Sequence, residues 1–353
     1  MKKVNKKQII GFAGTFIAFM MGSGFATGQE VLQYFAAYGY KGILGIALYF
    51  LALLYASERC IRVGFLNRAQ GGSDVFAFYC GKKLGTFFNW FTAISVYICF
   101  IVMLSGAGAT LHQHYGISSR IGSLMIGTLT CVTVMMGLRR IVDVIGKIGP
   151  VLIAISLFLS TVSIFKGAGN LASVETVLQE LHLMRASGNW LLSTLSYVGI
   201  SLVWLAPFLS ALGEQADSIK EAKWGARLGA CSFCTAMLLT TLGIMANLEV
   251  IAGSLVPNLV LANRISSVLG TVFSMTIVCG TYTAAVPLLW IVVAKLAPEN
   301  SRRFQIITLL LVALGLIIGT LVSFDVLVNT TYVTIGYVGF ILLLFMILKR
   351  FKK

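Results

Sequence analysis

Residues 20–31 read MMGSGFATGQEV. Three glycines, two hydroxyls, a glutamine and a glutamate interrupt a run from 9 to 35 that is otherwise apolar enough to cross a bilayer, which takes about 20 residues. Glycine within a helix costs about 1 kcal/mol relative to alanine and leaves the backbone free to unwind. An unwound stretch exposes amides and carbonyls, and these are tolerated at membrane depth only where protein, water or a ligand satisfies them. Close helix packing through Gly24 and Gly28 would explain the small residues. It does not explain Gln29 and Glu30 immediately after them, because an ionised glutamate at this depth costs on the order of 3 kcal/mol. A nucleotide-binding glycine loop is excluded, since no strand precedes it. The segment therefore reads as a membrane helix broken at mid-depth around a polar site.

The rest of the chain supports a membrane setting. Of 353 residues, 58% are hydrophobic and 11% charged, against roughly 25% charged in soluble domains. Ten apolar spans are expected, at about 9–35, 42–57, 84–111, 121–138, 144–165, 190–212, 226–248, 265–296, 304–324 and 326–348. The net charge of +15 is a topology signal, because Lys and Arg concentrate in loops that stay cytoplasmic. With the start of the chain inside, all of the 27 Lys and Arg except Lys41, Arg120, Lys166, Arg185 and Arg264 fall at or near the cytoplasmic side. Both ends are then cytoplasmic, in a bacterial plasma membrane, and nucleic acid is not a partner. Basic residues before an apolar run also describe a cleaved leader, but the alternation of loops needs the first span in place.

Seven cysteines suggest no disulfide framework. Cys231 and Cys234 form a CxxC without a second pair or a nearby histidine, which is not a metal site. His112, His114 and His182 map to outer loops.

The longest polar stretches are 58–83 and 167–189. The second contains VETVLQELHLM, where Val174, Val177, Leu178, Leu181 and Met184 make one apolar face of a short helix lying on the outer surface. The chain so divides into a first five-helix repeat at 1–170, an extracellular amphipathic connector at 171–189 and a second five-helix repeat at 190–353. Five is odd, so the second repeat enters the membrane from the opposite side. Inverted repeats of this kind hold a solute at the midplane, where corresponding spans are interrupted. Span six offers a counterpart to GSGFATG in YVGISLVWLAP: Pro207 removes an amide and frees the carbonyl of Val203, and Gly199 loosens the turn before it. The fold class expected is an all-α integral membrane protein with helices 1 and 6 broken at mid-membrane.

GSGFATGQEVLQYF (22–35) together with YVGISLVWLAPFLSALGEQ (197–215) resembles the YkvI-type membrane proteins of the amino acid, polyamine and organocation transporter superfamily, along essentially the whole chain. The resemblance implies the LeuT fold of five plus five helices, with the first and sixth broken at the site, and an amino-acid-like or other nitrogenous solute as cargo. On that reading a new half-helix starts near Thr27, and its amides, like roughly half a positive charge, seat a carboxylate. Freed carbonyls around Met21, Gly22, Gly199 and Val203 take an ammonium group. The substrate-binding candidates are Gly22, Ser23, Gly24, Phe25, Ala26, Thr27, Gly28, Tyr97, Tyr197, Gly199, Ser201 and Val203, with Trp204 a further aromatic.

No cofactor is expected beyond a coupling ion, either Na+ or H+. Sodium-coupled members of the fold place the cation between the first break and hydroxyls of span eight, which here are Thr281 and Thr283. These lie about 200° apart around a helix and cannot both face one ion without distortion. Sodium-independent members carry a span-five lysine in place of the cation, matched here by Lys147, which titrates readily if buried. Lys147 also lies close enough to the cytoplasmic end to snorkel to water. Glu30 either binds protons or an amine, or stabilises the start of the outer half-helix. No nucleophile with a base, metal cluster or phosphate loop is present, so no enzyme is expected. The alternative to a transporter is a nutrient-sensing receptor on the same fold.

Overall fold

The computed structural model describes residues 5–67, 75–136, 149–299 and 301–351, and these are helical nearly throughout. The chain runs α1 (Lys6–Met20), α2 (Ser23–Thr27), α3 (Gln29–Tyr34), α4 (Tyr40–Asn67), α5 (Val75–Tyr115) and α6 (Ser119–Met135). It continues through α7 (Gly149–Gly167), α8 (Val174–Glu180), α9 (Trp190–Glu214), α10 (Ile219–Met245), α11 (Leu248–Ile251) and α12 (Pro257–Ile265). The last elements are α13 (Ser267–Leu296), α14 (Arg302–Leu321), α15 (Phe324–Leu327), a π turn Val328–Tyr332 and α16 (Val333–Phe351).

Among the described residues, eight helices are long and apolar enough to cross a membrane. The ten expected spans are not reproduced one for one. The first is divided among α1, α2 and α3, and α6 is an apolar helix of 17 residues. Several helices outrun their apolar stretches. Thus α4 continues to Asn67 and α10 begins at Ile219, because polar side chains at a helix end reach water while the backbone stays hydrogen-bonded. Large apolar side chains such as Leu44, Leu51, Phe158 and Leu310 stand exposed on the outside of the bundle, the sign of a surface meant for lipid rather than water.

Packing follows a paired pattern. α1 lies on α10 as α9 lies on α4; α5 lies on α6 as α13 lies on α14; α5 meets α14 as α13 meets α6. α4 with α10, α5 with α13 and α6 with α14 make three further pairs. Small residues set the closest of these approaches. Gly64 in α4 backs onto the Ser210 backbone, and Gly213 in α9 onto that of Ile61. A side chain at either position would push two backbones apart.

The expected break in span six is not there. α9 winds from Trp190 to Glu214 as one helix with Pro207 inside it. The carbonyl that Pro207 leaves free, that of Val203, accepts from Thr92 Oγ1 of α5 at 3.4 Å, so its loss needs no unwinding. Gly199 serves contact rather than flexibility: a Cβ there would overlap the Gly336 carbonyl of α16. The expected connector helix also ends earlier than its apolar spacing suggests. α8 stops at Glu180, with Leu181 extended (φ −88°, ψ 120°), and Val174 and Leu178 supply its buried face.

Candidate functional site

The first membrane segment breaks twice. α1 is capped by Met21, whose amide reaches back to the Ile17 carbonyl, and Gly22 is extended (φ −73°, ψ −180°). α2 then makes little more than one turn before Gly28 takes the left-handed conformation (φ 85°, ψ −3°) and hands the chain to α3. A residue with a side chain is strained at that φ, and a Cβ there would also come 2.7 Å from Asn258 Oδ1. The half-helix expected from Thr27 onward therefore begins at Ser23 and again at Gln29. Thr27 closes the first piece: its hydroxyl donates to the Gly24 carbonyl at 3.0 Å and accepts from the Gln29 amide at 3.4 Å. The Gly22 carbonyl is not free either, as it accepts from the Ala26 amide at 3.0 Å.

Two residues distant in sequence complete the break. Asn258, near the start of α12, donates through Nδ2 to the carbonyls of Ala26 (3.1 Å) and Phe25 (3.4 Å). Phe25 O also receives the Gly28 amide at 3.0 Å. Met103 of α5 covers Gly22, its methyl 3.6 Å from where a Cβ would stand.

At the centre lies Glu30, with 8% of its surface exposed. Its side chain folds back onto α2 so closely that a Cβ on Gly24 would overlap the carboxyl group. Tyr197 of α9 donates its hydroxyl to Glu30 Oε2 at 3.1 Å. Among the described residues no Lys, Arg or His forms an ion pair with this carboxylate. The Tyr197 ring belongs to a connected set of aromatic side chains. Tyr197 lies 5.0 Å, centroid to centroid, from Tyr34 of α3 and from Tyr49 of α4, and 5.2 Å from Phe35. Phe233 of α10 stands 6.5 Å from Tyr49 and 5.2 Å from Phe25. Ser201 of α9, on the same face one turn on from Tyr197, holds the Tyr49 hydroxyl at 3.0 Å.

The structure thus brings Gly22, Gly24, Phe25, Ala26, Thr27, Gly28, Glu30, Tyr197 and Ser201 into one region, and Ser23 opens α2 there. Other expected positions lie elsewhere. Tyr97 is turned to α14, donating to the Leu311 carbonyl at 2.8 Å. Gly199 is buried against α16, and Val203 O is held by Thr92. Trp204 packs edge-on to Tyr332 at 5.2 Å. Thr281 and Thr283 are buried in α13, which packs on α2, but their hydroxyls donate to the Ile277 and Gly280 carbonyls of their own helix at 2.8 and 2.9 Å. Lys147 lies outside the described residues. Tyr34, Tyr49, Phe233, Met103 and Asn258 had no local signal in the sequence, since an aromatic or a methionine in an apolar helix looks the same whether it faces a site or a neighbour.

Both ends of the broken segment are tied down. On one side the Asn5 amide donates to Glu221 Oε1 (2.7 Å) and Gln8 Nε2 to Asp217 Oδ2 (3.1 Å). On the other, the Gln33 carbonyl accepts the Ala186 amide (3.0 Å), Gln33 Nε2 donates to the Asp325 carbonyl (3.0 Å), and the Tyr34 carbonyl accepts Ser193 Oγ (2.8 Å).

The fold has known parallels. The chain superposes on MhsT in complex with L-phenylalanine with a TM-score of 0.62 at 14% identity, covering 95% of this chain and 87% of that one. For the inward-facing conformation of Mhp1 the values are 0.58 and 12%, over 94% and 73%. For a manganese transporter from Eremococcus coleocola they are 0.54 and 14%, over 97% and 77%. The fold is the LeuT fold. In sequence the chain is similar to the membrane protein YkvI of Bacillus subtilis, 28% identical over 218 residues, which is 62% of this chain and 60% of that protein. It is also similar to YyaD of the same organism, 22% identical over 204 residues, 58% of this chain and 56% of that one. The aligned portions thus span less than two thirds of either relative. No family model matches the chain. The LeuT-fold chain is a multi-pass membrane protein.

Proposed function

We propose that the protein is a secondary transporter working by alternating access on a small amino-acid-like or other nitrogenous solute, with both ends cytoplasmic in a bacterial plasma membrane. The observation that carries this reading is the double interruption at Met21–Gly22 and Gly28, which sets a buried carboxylate against Gly24 in the middle of the bundle. A broken helix at the midplane is where transporters of this architecture bind. The reciprocal pairing of α1, α4, α5 and α6 with α9, α10, α13 and α14 supports two inverted repeats of five, 1–170 and 190–353, joined by the outer connector 171–189. The ties at Asn5 and Gln8 on one side and at Gln33 and Tyr34 on the other suit two gates around one site, each held by a few hydrogen bonds.

Coupling is to protons through Glu30, the carboxylate in the break. Sodium at Thr281 and Thr283 is the second candidate, and it requires both hydroxyls to leave their helical carbonyls. The test is flux. Purified protein in proteoliposomes, given a proton or a sodium gradient, is expected to accumulate a labelled member of a panel of amino acids and amines. Binding with no flux under either gradient would overturn transport in favour of a nutrient receptor.

A further inference from the structure

We propose that the cavity between the starts of α4 and α9 and the segment 171–189 binds the headgroup of an anionic phospholipid from the leaflet on that side, with its acyl chains running down α4. The inference stands apart from the transport reading. It needs only a chain set in a bilayer, and none of the cavity's residues belongs to the break in the first segment.

The cavity has a volume of about 660 Å³, within the range of small-ligand sites. Its lining comes entirely from residues 37–41 and 175–190. Two full cations, Lys41 and Arg185, stand there with His182, against one carboxylate, Glu175. Among the described residues neither cation forms an ion pair. Glu175 Oε1, by contrast, is already taken by the Tyr40 amide at the start of α4, at 3.0 Å. The charge left free on the lining is therefore positive. Its position is fixed as well: the Arg185 guanidinium rests 5.7 Å over the Tyr38 ring, and Asn329 Nδ2 holds the Arg185 carbonyl at 2.9 Å. The Tyr38 hydroxyl in turn donates to the Ser187 carbonyl (2.6 Å) and accepts the Ser187 amide (2.9 Å). A wall held in this way needs little ordering when a ligand arrives.

The surface below the cavity selects a lipid over a soluble anion. Lys41 heads a stripe of α4 that continues through Leu44, Leu48 and Leu51, and steps of three and four residues keep to one side of a helix. Lys41, Leu44 and Leu51 are exposed and Leu48 is half-buried. Trp190, which also lines the cavity, opens α9, and Leu191 and Leu192 after it are exposed. A lysine and a tryptophan at the head of exposed leucines mark the depth where headgroups meet acyl chains. Basic pockets between membrane helices at that depth take phosphate headgroups. The ammonium of a zwitterionic lipid would have only Glu175 to meet, and that carboxylate already caps α4. A bound headgroup joins α4 to the segment 175–189, which itself reaches the first membrane segment through the Ala186 amide on the Gln33 carbonyl, at 3.0 Å.

The experiment uses the full chain in a neutral detergent. It is titrated with phosphatidylglycerol and phosphatidylcholine of the same acyl chains, and with inorganic phosphate and glycerol 1-phosphate. Native mass spectrometry reads the bound lipid, and hydrogen exchange reads where it sits. Phosphatidylglycerol is expected to bind at least about tenfold more tightly than phosphatidylcholine and to slow exchange in peptides covering 175–189, with α6 and α14 unchanged. Lys41→Gln and Arg185→Gln should each weaken it about fivefold, the effect of one basic residue at a charged surface, and together they should abolish the preference. Equal binding of the two lipids, or a preference that survives the double variant, overturns the proposal. So does protection of 175–189 by either soluble phosphate as strong as that by the lipid at equal concentration, which would make the cavity a site for a free phosphate group. Should the double variant not fold, the exchange map of the wild-type chain decides: protection that misses both 37–44 and 175–190 places the lipid on another surface. No arm of this test reads flux, so absence of transport leaves the lipid site standing, and failure of the lipid site leaves the transport reading as it was.

Discussion

Replacing Asn258 by alanine tests how the broken segment is held shut. The side-chain amide of Asn258 reaches two carbonyls, but they are not equally dependent on it. Phe25 O keeps the Gly28 amide at 3.0 Å, and its bond to Asn258 is long at 3.4 Å. Ala26 O, bonded at 3.1 Å, has the Asn258 amide as its one partner among the described hydrogen bonds. The substitution therefore orphans one buried carbonyl, a loss of about 1 to 3 kcal/mol when the group stays dry. The segment recovers that energy by opening until water reaches Ala26, so the opening equilibrium of residues 22–31 should shift by roughly 5- to 150-fold. Hydrogen exchange followed by mass spectrometry reads this directly. Peptides covering 22–31 should exchange faster by that factor, while those from α4, α9 and α16 keep their wild-type rates. Exchange of 22–31 within twofold of wild type would refute the argument, because it would mean that the carbonyl finds another partner with the segment still closed.

Two further outcomes follow from the same geometry. Gly24→Ala gains helix propensity of about 1 kcal/mol in α2 but drives the Glu30 carboxyl off its seat and away from Tyr197. Ligand affinity should fall about tenfold, the equivalent of 1.4 kcal/mol, and the melting temperature should not rise, because the lost Tyr197–Glu30 hydrogen bond outweighs the propensity gain; unchanged affinity by isothermal titration would remove Gly24 from the site. Gly199→Ala meets the Gly336 carbonyl and, at 2.5 Å, the Phe340 amide nitrogen, and so should destabilise the fold by about 1 to 3 kcal/mol through overpacking. Thermal unfolding in detergent checks this, and a variant as stable as wild type would restore Gly199 to the role of a hinge.

Gly199 shows where reading along the chain stops. A glycine and a proline eight residues apart in a membrane span carry the same local signal whether the helix opens or not. What decides is the neighbour: α16 comes close enough to use the missing side chain, and Thr92 is placed to take the carbonyl that Pro207 frees. In the first span the signal was stronger, because glycines occur with Gln29 and Glu30 and packing alone cannot account for a carboxylate at that depth. Even there, the sequence placed the restart of the helix at Thr27, whereas the chain restarts at Ser23 and turns again at Gly28. The second turn depends on a left-handed residue, and any of the three glycines was free to be that one.

The amino-acid order by itself determined the solvent of this protein, its succession of apolar helices and the presence of an interruption near residue 22, because each is a matter of local hydrophobicity and backbone freedom within a single segment. Only the tertiary structure decided that Tyr34, Tyr49 and Tyr197 meet beside one carboxylate, that Tyr97 turns to α14 and that α9 stays whole. In an apolar helix every face is hydrophobic, so the pattern does not say which face looks inward; that is settled by the helices that come to pack against it.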